Sequence, residues 1–155
     1  KLVSATGGYD VKGWQPEFLA VIPLMTVEML VSMPFAEEYR KLAPNPNGFP
    51  ELAAKLIQLE KEPMAWENEV RAMKAPVLII SGDADVGTLE HYVSMFRLLG
   101  GGVMGDMGKP LPDSRLAVLP ATSHTAVINQ TDLLLAFIKP FLKGETPKGF
   151  FEAGN

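Results

Sequence analysis

Ala75-Pro76-Val77-Leu78-Ile79-Ile80-Ser81-Gly82-Asp83-Ala84-Asp85 is the stretch on which the fold turns. Its centre is a continuous β-branched and apolar run bounded by Pro76 and Gly82. Such a run reads as a strand buried on both faces, as in a parallel sheet covered by helices. Downstream, Thr88 to Leu99 places Leu89, Tyr92, Val93, Phe96 and Leu99 at helical spacing, an amphipathic helix that packs on a sheet face. A glycine-rich connector, Gly100 to Asp113, leads to a second buried strand, Arg115-Leu116-Ala117-Val118-Leu119, followed by Pro120-Ala121-Thr122-Ser123-His124. A last helix starts near Thr131 as N-cap and presents Leu134, Phe137, Ile138 and Phe141 on one face. Pro140 falls inside it and is expected to kink or shorten it. Strand, helix, strand, helix at these lengths predicts right-handed crossovers in a parallel sheet, so the fold class is α/β.

Upstream, Lys1 to Ser4 is strand-like and runs into Ala5-Thr6-Gly7-Gly8, where the glycines end the element, and a loop follows to about Trp14. From Gln15 to Lys74 the vocabulary is helical. Pro16 suits a first helical turn, while Pro23, Pro34, Pro44, Pro46, Pro50 and Pro63 separate four or five short helices. The clearest spans Pro50 to Lys61, with Leu52, Leu56 and Leu59 beside Ala53 and Ile57 as its apolar stripe. This segment interrupts the alternation and reads as an inserted lid. The expected division is therefore 1–13 and 74–155 as an α/β core and 14–73 as a helical cap. Met25, Met29 and Met33 form a stripe within it that reads first as core packing and second as an adaptable pocket lining.

The 155 residues are 47% hydrophobic and 21% charged, with 14 Lys plus Arg against 18 Asp plus Glu. This is globular rather than disordered composition. A net charge of -4 repels phosphate, which argues against nucleic acid as a partner. The longest apolar stretch, Phe18 to Met25, is broken by Pro23 and far below the ~20 residues that cross a bilayer, so no membrane role is expected. With no cysteine there are no disulfides, thiolate nucleophiles or Cys-ligated zinc, and with two histidines a metal cluster is improbable. Missing cysteines and the lack of an export signal give the expectation of a cytoplasmic protein. Asn129-Gln130-Thr131 matches the glycosylation acceptor pattern by chance on this reading.

The chemistry-bearing candidates lie just past the two buried strands. Ligands and catalytic groups of open parallel sheets gather outside the carboxyl ends of the strands, where Asp85 and His124 both fall. Taken alone, Asp83 and Asp85 read equally well as turn residues bonding their own backbone, and His124 as a satisfied loop histidine. Taken together they fit a carboxylate that fixes the imidazole tautomer and stabilises the imidazolium while the other ring nitrogen acts as general base. His91 lies off the apolar stripe of its helix and reads as a surface or pocket-rim residue. Gly100-Gly101-Gly102-Val103-Met104-Gly105 spells G-x-G-x-x-G, but a helix precedes it and none follows, so nucleotide binding is rejected there. Gly108-Lys109 followed by Pro110 fails the phosphate-loop pattern likewise.

These residues in this order resemble the carboxyl-terminal half of an α/β-hydrolase, across essentially the whole chain. Lys1 to Ala5 corresponds to the sixth strand of that fold and Gly13 to Lys74 to its helical cap. Ala75 to Asp85 matches the seventh strand with its acid turn, and Arg115 to His124 the eighth strand with the histidine loop. The resemblance implies Asp85 as the triad acid, preferred to Asp83 because the second aspartate of a Gly-Asp-x-Asp turn normally holds that role, and His124 as the base. It implies an ester or related small acyl substrate and no cofactor. The family also includes dehalogenases, epoxide hydrolases, carbon-carbon bond hydrolases and peroxidases, which this half does not separate. The departure is that none of Ser4, Ser32, Ser81, Ser94, Ser114 and Ser123 sits in G-x-S-x-G. The chain is accordingly expected to be a fragment, inactive by itself, that lacks the nucleophile half. Its cut sheet edge would be covered by a complementary amino-terminal chain or by self-association. The alternative from another class is a non-catalytic binding or interaction module of the same fold.

Overall fold

A computed structural model describes residues 1–106 and 110–147. In chain order the elements are β1 (Leu2–Ala5), α1 (Pro16–Val21), α2 (Val27–Val31), α3 (Pro34–Leu42), α4 (Phe49–Lys61), α5 (Glu67–Ala72), β2 (Val77–Ala84), α6 (Leu89–Leu98), β3 (Arg115–Ser123) and α7 (Thr131–Lys143). Short 3-10 turns sit at Val11–Gly13, Ile22–Leu24, Pro46–Gly48 and Val127–Asn129. The chain divides into two compact units, Gln15–Met64 and Lys1–Trp14 with Ala65–Asn155.

The second of these carries a three-stranded parallel sheet in the order β1-β2-β3. Central β2 is buried from Val77 to Gly82, as its unbroken apolar run predicts. Its side chains alternate between two layers. Val77 and Ile79 join Tyr9, Val70, Tyr92 and Met95 on the α5 and α6 side, whereas Leu78 and Ile80 join Leu119, Val127 and Phe141 on the α7 side. Each such buried side chain stabilises the unit by roughly 1.5–3 kcal/mol. Helix α5 lies in the stretch that the sequence groups with the helical segment, yet it clusters with the sheet. Val70 is buried against Val77, and the Trp66 amide donates to the Tyr9 carbonyl (2.8 Å).

Several local expectations are corrected. Strand β3 is not buried like β2: it is the last strand in the sheet order, only Leu119 and Thr122 are buried along it, and Val118 is 40% exposed. Both β2 and β3 also run further than their apolar cores, to Ala84 and Ser123, because the backbone pairing continues into the polar ends. Thr131 is the first helical residue of α7 rather than its N-cap; Gln130 holds the cap position, and its side chain donates instead to Thr122 Oγ1. Pro140 does not shorten α7, which continues to Lys143. The amide that proline lacks falls in the last turn, and the Gly144 and Glu145 amides close the end on Phe141 and Pro140 carbonyls (3.0 and 2.9 Å). Lys1 Nζ donates to the Phe141 and Leu142 carbonyls at 2.8 and 3.0 Å, a cation placed at the negative end of the helix.

The helical unit, Gln15–Met64, has its own small core of Ala36, Phe49 and Ala53, flanked by Val27, Leu30, Val31, Tyr39 and Leu52. The buried face of α4 is Phe49 with Ala53 and Ile57 of the expected stripe; Leu52 packs partly buried against this core, whereas Leu56 and Leu59 are exposed. Met29 and Met33 are exposed as well, so the methionine row is not the core of this unit.

Candidate active site

The site is built at the carboxyl ends of β2 and β3, within the sheet-bearing unit. Asp85 follows the last residue of β2 and His124 the last residue of β3. His124 Nδ1 lies 2.7 Å from Asp85 Oδ1. A carboxylate can only accept, so Nδ1 carries the proton and Nε2 is the basic nitrogen of the neutral ring. Asp85 is 5% exposed, while the His124 side chain is 40% exposed, so the carboxyl is buried behind an imidazole that reaches solvent. Oδ1 also accepts from the Val86 amide at 2.7 Å, and Oδ2 faces the Gly82 amide at 3.4 Å. Burial pushes the Asp85 carboxyl up, but the hydrogen bond and charge of His124, with the two amides, outweigh it and hold the group below the ordinary carboxylate range.

Local sequence explains why these ends meet. Between Gly82 and Ala84 the β2–β3 register shifts: Gly82 pairs with Leu119 and Ala84 with Ser123. One residue of β2, Asp83, therefore opposes three of β3, Pro120, Ala121 and Thr122, a β-bulge. Ala121 takes φ 52 there, a left-handed conformation that costs an alanine roughly 1 kcal/mol. Gly82 is required beside the bulge, since a Cβ on it would lie 1.8 Å from the Thr122 carbonyl oxygen.

Asp83, read from sequence as a turn residue bonding its own backbone, instead accepts from the Ala121 and Thr122 amides across the sheet (2.9 and 3.0 Å). Those two amides hold its carboxyl below the ordinary range. His91 is not a surface residue. It is buried, stacks on Tyr9 (4.4 Å between centroids), and its Nε2 accepts from the Tyr9 amide at 3.2 Å. Burial lowers its pKa against the opposing pull of Asp10, so it is a neutral structural residue that pins the loop after β1 onto α6. A Cβ on Gly13 of that loop would lie 1.9 Å from the His91 ring. Tyr92 is fully buried, and its hydroxyl reaches beneath the turn after Asp85, where a Cβ on Gly87 would lie 2.5 Å from it. Burial, then the neighbouring Asp85 carboxylate, push that phenol far up. The Tyr92 hydroxyl and the buried Ser81 Oγ make no hydrogen bond. Sequence reasoning missed Tyr92 and the cross-strand contacts of Asp83, which join residues almost forty positions apart and leave no local signal.

Among the described residues, no group of three or more His, Cys, Asp and Glu side chains could hold a metal ion, and no helix is long and apolar enough to cross a membrane. The G-x-G-x-x-G run begins just after α6, and no helix follows it among the described residues before β3. Gly108 and Lys109 of the rejected phosphate-loop pattern lie outside the described residues.

No protein-family model matches the chain, and no curated protein matches it in sequence. Solved structures do match. The meta-cleavage product hydrolase of Pseudomonas fluorescens superposes with a TM-score of 0.58 at 16% identity, covering 92% of this chain and 55% of that one. A membrane phospholipase A described as a bacterial virulence factor gives 0.53 at 16% identity over 93% of this chain and 49% of that one. A hydrolase from Pseudomonas aeruginosa gives 0.50 at 17% identity, over 92% and 55%. The fold is thus that of an α/β-hydrolase. The chain spans about half the length of these structures, which are themselves hydrolases.

Proposed function

We propose that the chain is part of a serine-type α/β-hydrolase acting on an ester or related small acyl substrate, to which it supplies the acid and the base of the triad. The observation that carries this is the 2.7 Å contact between Asp85 Oδ1 and His124 Nδ1 at the strand ends. In the reaction, His124 Nε2 takes the proton of the attacking hydroxyl, gives it to the leaving group, and then activates the hydrolytic water. Asp85 keeps the ring in the required tautomer and stabilises the imidazolium. The helical unit Gln15–Met64 takes the part of the cap.

In this reading the nucleophile comes from outside these residues, because none of the six serines lies in G-x-S-x-G. The chain alone is then inactive. Its working partner is an amino-terminal half that adds a strand beside β1, which pairs only with β2 among the described residues; otherwise a second copy covers that edge. We place the protein in the cytoplasm on its lack of cysteine.

The test is turnover of short p-nitrophenyl esters by this polypeptide and by the longest product of its reading frame, each with and without His124→Ala. Activity confined to the longer form and abolished by His124→Ala is the expected result. Ester turnover that survives His124→Ala would remove His124 from the chemistry. Inactivity of every form on every ester would favour a binding module.

A further inference from the structure

The bulge that carries His124 to Asp85 leaves backbone donors without ladder partners, and one side chain takes both. Pro120 has no amide hydrogen, so the three bulged residues expose only two donors, those of Ala121 and Thr122. Asp83 Oδ2 accepts the first and Oδ1 the second, at 2.9 and 3.0 Å. The other ties of the bulge run through one side chain: Ala121 sits at φ 52, β3 is last in the sheet order, and the buried Thr122 hydroxyl donates to the Pro120 carbonyl and accepts from Gln130 at the start of α7. Two residues beyond Thr122 is His124. An unclamped bulge can relax toward regular pairing, which needs a slip of two residues in β3 and would carry His124 about 7 Å along the strand, out of reach of Asp85.

We propose that Asp83 is a positioning residue, whose carboxylate clamps the β3 bulge and thereby aims His124 Nδ1 at Asp85. This rests on the reading of Asp85 and His124 as acid and base, but it concerns their geometry and is testable without turnover. It also gives Gly-Asp-Ala-Asp a division of labour: Gly82 makes room for the Thr122 carbonyl, Asp83 clamps the bulge, and Asp85 receives the imidazole.

The experiment is NMR of this 155-residue polypeptide, which has two histidines to assign. The proton on His124 Nδ1 is expected as a low-field, slowly exchanging signal that disappears in Asp85→Asn. In Asp83→Ala the same signal is lost to solvent exchange, together with protection of the Ala121 and Thr122 amides, while the His91 ring signals stay in place. Asp83→Asn, which keeps one acceptor oxygen, retains part of the signal. A His124 signal unchanged in Asp83→Ala, with the two amides exposed, overturns the clamp. Should Asp83→Ala fail to fold, Asp83→Asn decides: an unchanged His124 signal beside a deprotected Ala121 or Thr122 amide overturns it equally. Absence of the signal from the unmodified chain, or its persistence in Asp85→Asn, overturns the pairing itself and the clamp with it.

Discussion

Strands β2 and β3 each deliver one member of the Asp85–His124 pair, and they do it by different physics. The end of β2 is fixed by burial: six consecutive residues from Val77 to Gly82 are buried between two helical layers. Asp85 follows as a matter of chain continuity. Strand β3 is a half-exposed edge whose end is bulged, contains Pro120 and holds Ala121 in a left-handed conformation. It keeps His124 in place through polar contacts from its neighbour. The carboxylate is thus placed by the core and the imidazole by hydrogen bonds, so the two should fail under different perturbations.

The largest effect separates the strands directly. Ile80→Ala removes a fully buried side chain from β2 and is expected to cost about 2–5 kcal/mol of unfolding free energy. Val118→Ala on half-exposed β3 should stay within about 1 kcal/mol, since the side chain already meets water. Urea denaturation of both variants checks the difference, and equal costs would mean that β3 is as much a core strand as β2. Next comes Gly82→Ala. The added methyl meets backbone, the Thr122 carbonyl, which cannot rotate away, so the bulge must move at a cost of at least ~1–3 kcal/mol. The His124–Asp85 contact should be lost with it, read as loss of the His124 Nδ1 proton signal; a stable variant that keeps the signal would show that the bulge is not what aims the histidine.

The same contrast explains what the sequence revealed. Strand β2 was legible because burial on both faces writes itself as an unbroken run of β-branched residues, and Asp85 and His124 were legible because the ends of such strands are where polar groups collect. Strand β3 looked equally buried from Leu116-Ala117-Val118-Leu119, since hydrophobicity does not reveal whether a strand has one neighbour or two. The stripes of α4 and α6 are legible in part: Ala53, Ile57 and Tyr92 are buried and Phe96 and Leu99 pack on the core, whereas Leu56, Leu59 and Leu89 are exposed and α6 also buries His91 and Met95. His91 reads from sequence as a surface or pocket-rim residue because its burial depends on a loop some eighty residues away, which supplies the Tyr9 ring and amide. A periodicity argument sees only its own helix. The bulge was invisible for a similar reason, being a relation between Asp83 and residues almost forty positions later.

The two kinds of support should also part with pH. His91 is buried neutral, with its pKa lowered by desolvation, so between its folded value and about 6.5 the unfolded chain binds more protons than the folded one. Stability is therefore full above about pH 6.5 and declines as pH falls below it, before any carboxylate titrates. Asp83 and Asp85, both held below the ordinary carboxylate value, contribute stability that is present above about pH 4 and lost below it. Urea midpoints measured from pH 8 to pH 3 should show two acid phases. His91→Gln, whose amide oxygen still accepts from Tyr9, should remove the upper phase alone; an upper phase that survives in that variant would assign it elsewhere.

The smallest effect tests whether the acid needs anything beneath it. The Tyr92 hydroxyl is buried below the turn after Asp85, where it has no partner at full hydrogen-bond geometry although the Asp85 carboxylate is close enough to act on it. Tyr92→Phe removes the hydroxyl and leaves the ring packed in the α6-side core with Val77, Ile79 and Met95. If burial alone places Asp85, the variant should be as stable as the parent or slightly more so, with the His124 Nδ1 signal unchanged. A loss of about 1 kcal/mol or more, together with a weakened His124 signal, would mean that the phenol donates to the Asp85 carboxylate in solution. The acid would then depend on a polar contact as the base does, and the contrast between the two strands would be one of degree.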